Sequence, residues 1–154
     1  NVGIENTFTG GQLTISTAAA TSIGVVNTYY DVAGTFTASD LDHFDNPTNG
    51  QLRNLANNPR EFMFYADLTV LGTSGDVIDI KIVKYDASAT SFSDVFHQQR
   101  VINNFTGSND LAFFNIMTSV ELDLNDYVKL QVENKTTARN VTVQLDSFYR
   151  VMER

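Results

Sequence analysis

The chain has 154 residues, a formal net charge of −8 and no cysteine. An acidic chain without a basic run is a poor partner for nucleic acid or an anionic membrane surface, because phosphate neutralisation dominates such affinity. The absent thiols exclude disulfides, thiolate catalysis and cysteine-ligated metals, and no apolar run approaches the ~20 residues of a membrane span.

One domain is expected at this length. The chain opens on Asn rather than Met, which reads as a piece of a longer parent with modules ahead of it. Residues 1–22 are small and polar, broken by Gly10-Gly11, and read as an N-terminal arm or linker carrying one short strand over 12–16. The domain proper is expected over 23–154. Residues 24–38 are β-rich and interrupted by Gly34. A polar excursion follows, in which residues 51–58, ahead of Pro59, are the best helix candidate. Residues 61–71 alternate, with Phe62, Phe64, Ala66, Leu68 and Val70 on one face. Gly72 to Gly75 is a hairpin-length connection. Ile78, Ile80 and Ile82 then face inward from a strand over 76–84, and residues 85–91 form a loop. Residues 92–105 and 111–124 are long strand candidates, separated by a turn at 106–110.

The last third repeats the pattern. Asn125-Asp126 supplies a turn pair whose side chains can bond their own backbone. Val128, Leu130 and Val132 share one face, and Val141, Val143 and Leu145 restart the alternation after a polar loop. Phe148 falls out of phase with them, which predicts a bulge near Asp146-Ser147. About eight to ten long strands with regular turn signals predict an all-β protein, an antiparallel jelly-roll β-sandwich. Residues 111–120 are apolar on both faces: Ala112, Phe114, Ile116 and Val120 on one, Leu111, Phe113 and Met117 on the other. A sandwich strand needs only one apolar face, so the second is expected to meet another subunit.

Chemistry is hard to find. The two histidines, His43 and His97, lie far apart, and no nucleophile, zinc-protease, phosphate-loop or dinucleotide motif is present. No enzyme is therefore expected, and no cofactor. Asp40, Asp42, Asp45 and Asn49 offer oxygen ligands on one loop, a calcium candidate whose spacing is not that of an EF-hand. Three N-x-[ST] sequons begin at Asn104, Asn134 and Asn140. Recognition is expected on loops, at His43, Phe44, Asn46, Asn49, Asp86 and Ser88.

The ending resembles the trimeric jelly rolls of the tumour-necrosis-factor and complement-globular-head type. The run Leu122-Asp123-Leu124-Asn125-Asp126-Tyr127-Val128 is similar to that group's turn before the penultimate strand. Leu130, Val132 and Asn134 match its next strand, and Phe148 and Tyr149 its closing aromatics. The resemblance covers residues 23–151. It implies a homotrimer around a threefold axis, with Tyr29, Leu111, Phe113, Met117, Tyr127 and Tyr149 as interface candidates. The Asn/Thr-rich, cysteine-free style also resembles phage and viral fibre tips, receptor-binding heads and capsid decorations. Partners would then be other virion proteins or a cell-surface receptor or glycan, on a virion or outside the cell. The alternative is a carbohydrate-binding module of a secreted protein, with Tyr30, Phe44 and Tyr65 as stacking rings.

Overall fold

The computed structural model describes residues 9–104 and 110–154. In chain order the strands are β1 (Gly10–Thr17), β2 (Ala20–Thr21), β3 (Tyr30–Asp31), β4 (Thr35–Asp42), β5 (Phe44–Asp45), β6 (Leu52–Asn54) and β7 (Arg60–Leu71). They continue as β8 (Val77–Asp86), β9 (Ser91–Val101), β10 (Asn103–Asn104), β11 (Asp110–Leu122), β12 (Tyr127–Asn134), β13 (Val141–Val143) and β14 (Phe148–Glu153). The first sheet has the order β10-β11-β7-β14-β1-β4, with β13 pairing β7 and β2. The second runs β5-β6-β12-β8-β9, with β3 on β12. The pairs are antiparallel, and the two sheets pack face to face as a jelly-roll sandwich.

Period 2 decides what lies between the sheets. Phe62, Phe64, Ala66, Leu68 and Val70 point inward from β7, and Ile78, Ile80 and Ile82 meet them from β8. Val128, Leu130 and Val132 complete the second sheet, and Phe114 and Ile116 the first. Polar ties close the ends. Buried Asn54 donates to the carbonyls of Leu122 and Asp123 at 3.1 and 3.2 Å. Buried Asp76 accepts from Arg139 at 2.6 and 3.1 Å and from Asn134 at 2.9 Å. The Arg139 guanidinium holds the Asp76 carboxyl below its usual range, against the opposing push of burial.

Several expectations are corrected here. β1 is hydrogen-bonded on both sides, to β14 and to β4, so the sheet starts at Gly10 rather than at residue 23. Residues 51–58 are not helical; Leu52 and Asn54 alternate inward as β6, pairing β12 and β5. The strand expected over 92–105 is broken at buried Ile102, whose backbone N–H donates to Asp76. Residues 106–109 of the expected turn and two residues of the Asn104 sequon fall outside the described residues, and Asp110 already belongs to β11. Tyr149 is fully buried in the core, stacked on Phe64 at 5.2 Å, and cannot serve an interface. The predicted phase break is absent: the excursion holds two extra residues rather than one, so parity is kept and Phe148 faces outward. From Val143 opposite Val70 to Phe148 opposite Asp67, one chain advances five residues and the other three, so two residues loop out. Asp146 takes positive φ there, Leu145 is exposed, and Tyr149 returns to the inward phase of Val143.

Candidate functional site

The outer face of the first sheet carries more apolar surface than a solvent-facing sheet requires. Along one row Met117 stands opposite Tyr65, Tyr65 opposite Arg150, and Arg150 opposite Gln12. In the next row Ser119, Met63, Met152 and Gly10 are neighbours, and on the other side come Asn115, Asp67, Phe148 and Thr14. Met63, Tyr65, Met117, Phe148, Arg150 and Met152 line a shallow depression of about 580 Å³. Met117 is 62% exposed, Phe113 52% and Met152 43%. A second depression of about 300 Å³ shares Arg150 and Met152 and extends across Gly10, Gly11 and Gln12 to Asp40.

Beside this face lies an apolar edge. Phe96 and Val101 of β9 are exposed next to β11. The Gln98 side chain reaches from the second sheet to the first, donating to the Asn115 carbonyl and accepting from its N–H, both at 3.2 Å. Those bonds satisfy backbone groups of β11 that would otherwise invite another strand. The molecule thus presents an apolar face and an adjoining apolar edge whose backbone is partly closed to strand addition.

The second sheet's outer face has a different character. Tyr127, Tyr85 and Phe92 form a cross-strand ladder, with centroid separations of 4.9 and 5.0 Å for consecutive pairs. Lys129 covers Phe92 at 4.8 Å and bonds Asp31 at 3.0 Å. Farther along, Asp79 and Glu133 stand opposite each other, almost buried. Tyr29 lies against them, and burial followed by their negative charge pushes its phenol well above the ordinary range. His97 and Lys135 hold the two carboxylates from the solvent side, at 3.0 and 3.1 Å.

The predicted interface residues therefore separate into three places. Leu111, Phe113 and Met117 share the outer face of the first sheet. Tyr29 and Tyr127 sit on the second sheet and cannot join them, and Tyr149 is in the core. Met63, Arg150 and Met152 were missed, although the run Phe62-Met63-Phe64-Tyr65 carries the same two-faced signal that singled out β11. Among the predicted recognition residues, Phe44 is buried edge-on against Phe62 at 5.3 Å, so it can neither recognise a partner nor stack on a sugar. Tyr30 is half-buried, and its hydroxyl accepts from Val25 N–H at 3.0 Å. Asn49 is committed to backbone, accepting from Phe36 at 2.8 Å and donating to Gly34 at 2.7 Å. Asp86 caps its own turn through Ala89 N–H and Ser88, which holds its carboxyl below the usual range. His43 and Asn46 remain on the surface, His43 beside Asp42 at 2.7 Å. The calcium candidates are not gathered. Asp45 is held by Arg53 at 2.6 and 2.9 Å, and among the described residues no three acidic or histidine side chains are placed to bind a metal.

Solved structures share this architecture. Eiger TNF from S. frugiperda superposes with a TM-score of 0.68 at 13% identity, covering 97% of this chain and 94% of that one. Murine APRIL at pH 5.0 gives 0.66 at 6% identity, covering 96% and 99%. The fold is a tumour-necrosis-factor-type jelly roll. No protein-family model matches the sequence, and no curated protein is similar to it in sequence.

Proposed function

We propose that this chain is a non-enzymatic attachment module that works as a homotrimer. The observation that carries the reading is the exposed face of Met63, Tyr65, Phe113, Met117, Phe148 and Met152, adjoining the exposed edge of Phe96 and Val101. A face and an edge are unlike surfaces, so their contact is head-to-tail and closes into a ring when the rotation allows. The likeness to tumour-necrosis-factor jelly rolls supports three copies in that ring. His97 is bonded to Asp79 on a flat sheet surface, which gives no support to catalysis. The Asn/Thr-rich, cysteine-free composition supports a virion or extracellular setting, as a phage fibre tip, receptor-binding head or capsid decoration that engages virion proteins or a cell-surface receptor.

Sedimentation equilibrium tests the assembly. Three chain masses at micromolar concentration are expected, and a monomer there overturns the reading. The attachment role is checked by the labelled protein's saturable binding to whole cells or to undecorated capsids, and binding to neither rejects it.

A further inference from the structure

Four side chains make a square at the centre of the exposed face. Tyr65 stands opposite Arg150, and Asp67 opposite Phe148. Diagonal neighbours on a sheet can touch when their side chains are long or aromatic. The rings of Tyr65 and Phe148 occupy one diagonal, with centroids 5.9 Å apart. Their contact keeps Arg150 and Asp67, at the ends of the other diagonal, from meeting.

Arg150 is consequently left without a carboxylate. Arg53, Arg60, Arg139 and Arg154 each hold one. Arg150 has a weak 3.9 Å contact from Nη1 to the Met152 sulfur and lies 5.7 Å over Phe148, and its Nε is buried with no hydrogen-bond partner. Covering a guanidinium with apolar surface and no anion costs more than the contact returns. The face therefore closes well only if the covering surface brings a carboxylate. Asp67 is exposed on that same face, one row away, and is unpaired among the described residues. Glu61, by contrast, is engaged by Arg154, and Glu121 stands opposite Glu61 two rows from Arg150.

We propose that Arg150 of one copy pairs with Asp67 of the next, and that this pair sets the register of the assembly. Where the centres of the faces converge on the axis of a cyclic arrangement, each copy donates one guanidinium and receives one, so Arg150 and Asp67 are both matched. The inference rests on the self-association proposed above and names the polar contact that makes it specific.

Charge reversal tests it. Arg150→Asp, Asp67→Arg and the double exchange are compared with the parent by sedimentation velocity over a dilution series, with circular dichroism confirming the fold. Each single reversal is expected to raise the dissociation constant roughly tenfold or more, and the double exchange to restore most of the loss. Should a reversal prevent folding, the cycle of Arg150→Met with Asp67→Asn is read instead, and non-additive weakening of the oligomer is expected. A parent chain that never assembles overturns both this pair and the self-association. A parent oligomer indifferent to the single reversals, or a double exchange no better than either, overturns the pair alone. So does coupling that appears in the diluted monomer's unfolding midpoint rather than in dissociation.

Discussion

Tyr149 shows how one residue can tie two sheets. Its ring fills the core against Phe64 and Phe36, and its hydroxyl donates to the Gly50 carbonyl at 2.8 Å, with the Val128 carbonyl at 3.1 Å. Tyr149→Phe keeps the ring and strips a buried carbonyl of its donor. The expected cost is about 1–3 kcal/mol, read as a lower urea midpoint with an unchanged slope. Burial also pushes this phenol well above its ordinary range, does the same to Tyr29, and raises Tyr127. For a group whose folded pKa is raised, the contribution is whole below the unfolded value and is lost as pH rises toward the folded one. The unfolded value for tyrosine is about 10. Stability should therefore decline above about pH 10, and less steeply in Tyr149→Phe, as followed by thermal midpoints across an alkaline series. Asp76 works in the opposite direction: its lowered pKa gives stability that is lost on acidification below about pH 4, the ordinary carboxylate range.

Between elements, close approach of backbones is the decisive fact at β1. A Cβ on Gly10 would lie 2.3 Å from the carbonyl oxygen of Val151 in β14, an atom that cannot step aside as a flexible side chain would. Gly10→Ala should push β1 from β14 and cost on the order of 2–3 kcal/mol by chemical denaturation. The composition of residues 1–22 reads as an arm because small polar residues carry no burial signal; of the two pairings that incorporate β1, the one with β14 is made with residues more than a hundred positions away. Ile78, Ile80 and Ile82 were legible because the opposite parity of β8 holds Asp79 and Lys81, which leaves one choice of inward face. Tyr149 was not legible, because Phe148 and Tyr149 are both aromatic and only the two-residue excursion at Leu145 and Asp146 decides which turns inward. Met63, Arg150 and Met152 were obscured in the same way, since period 2 states that two faces exist and not which of two apolar faces is covered. Tyr29 and Tyr127 were assigned to the assembly face because residue type carries no information about which sheet a strand joins.

At the scale of the molecule, the described structure separates a finished interior from an unfinished exterior. Met117 is the sharpest probe of that division: it lies on β11 between Ile116, which is in the core, and Thr118, yet is 62% exposed. Met117→Asp should leave the monomer's thermal midpoint nearly unchanged, because an exposed side chain gives up little burial on folding. Ile116→Asp would instead place a charge among Phe114, Phe64 and their neighbours and should prevent folding. If the outer face is covered by other copies, Met117→Asp puts a carboxylate into the apolar contact, and the oligomer should fall to monomers at concentrations where the parent remains assembled. The two measurements must diverge for the reading to hold: folding stability preserved and assembly lost. Sedimentation of Met117→Asp beside its melting curve gives both from one preparation. An assembled Met117→Asp chain with a normal midpoint would mean that this face is open to solvent in the working protein, and that its methionines serve a partner other than another copy.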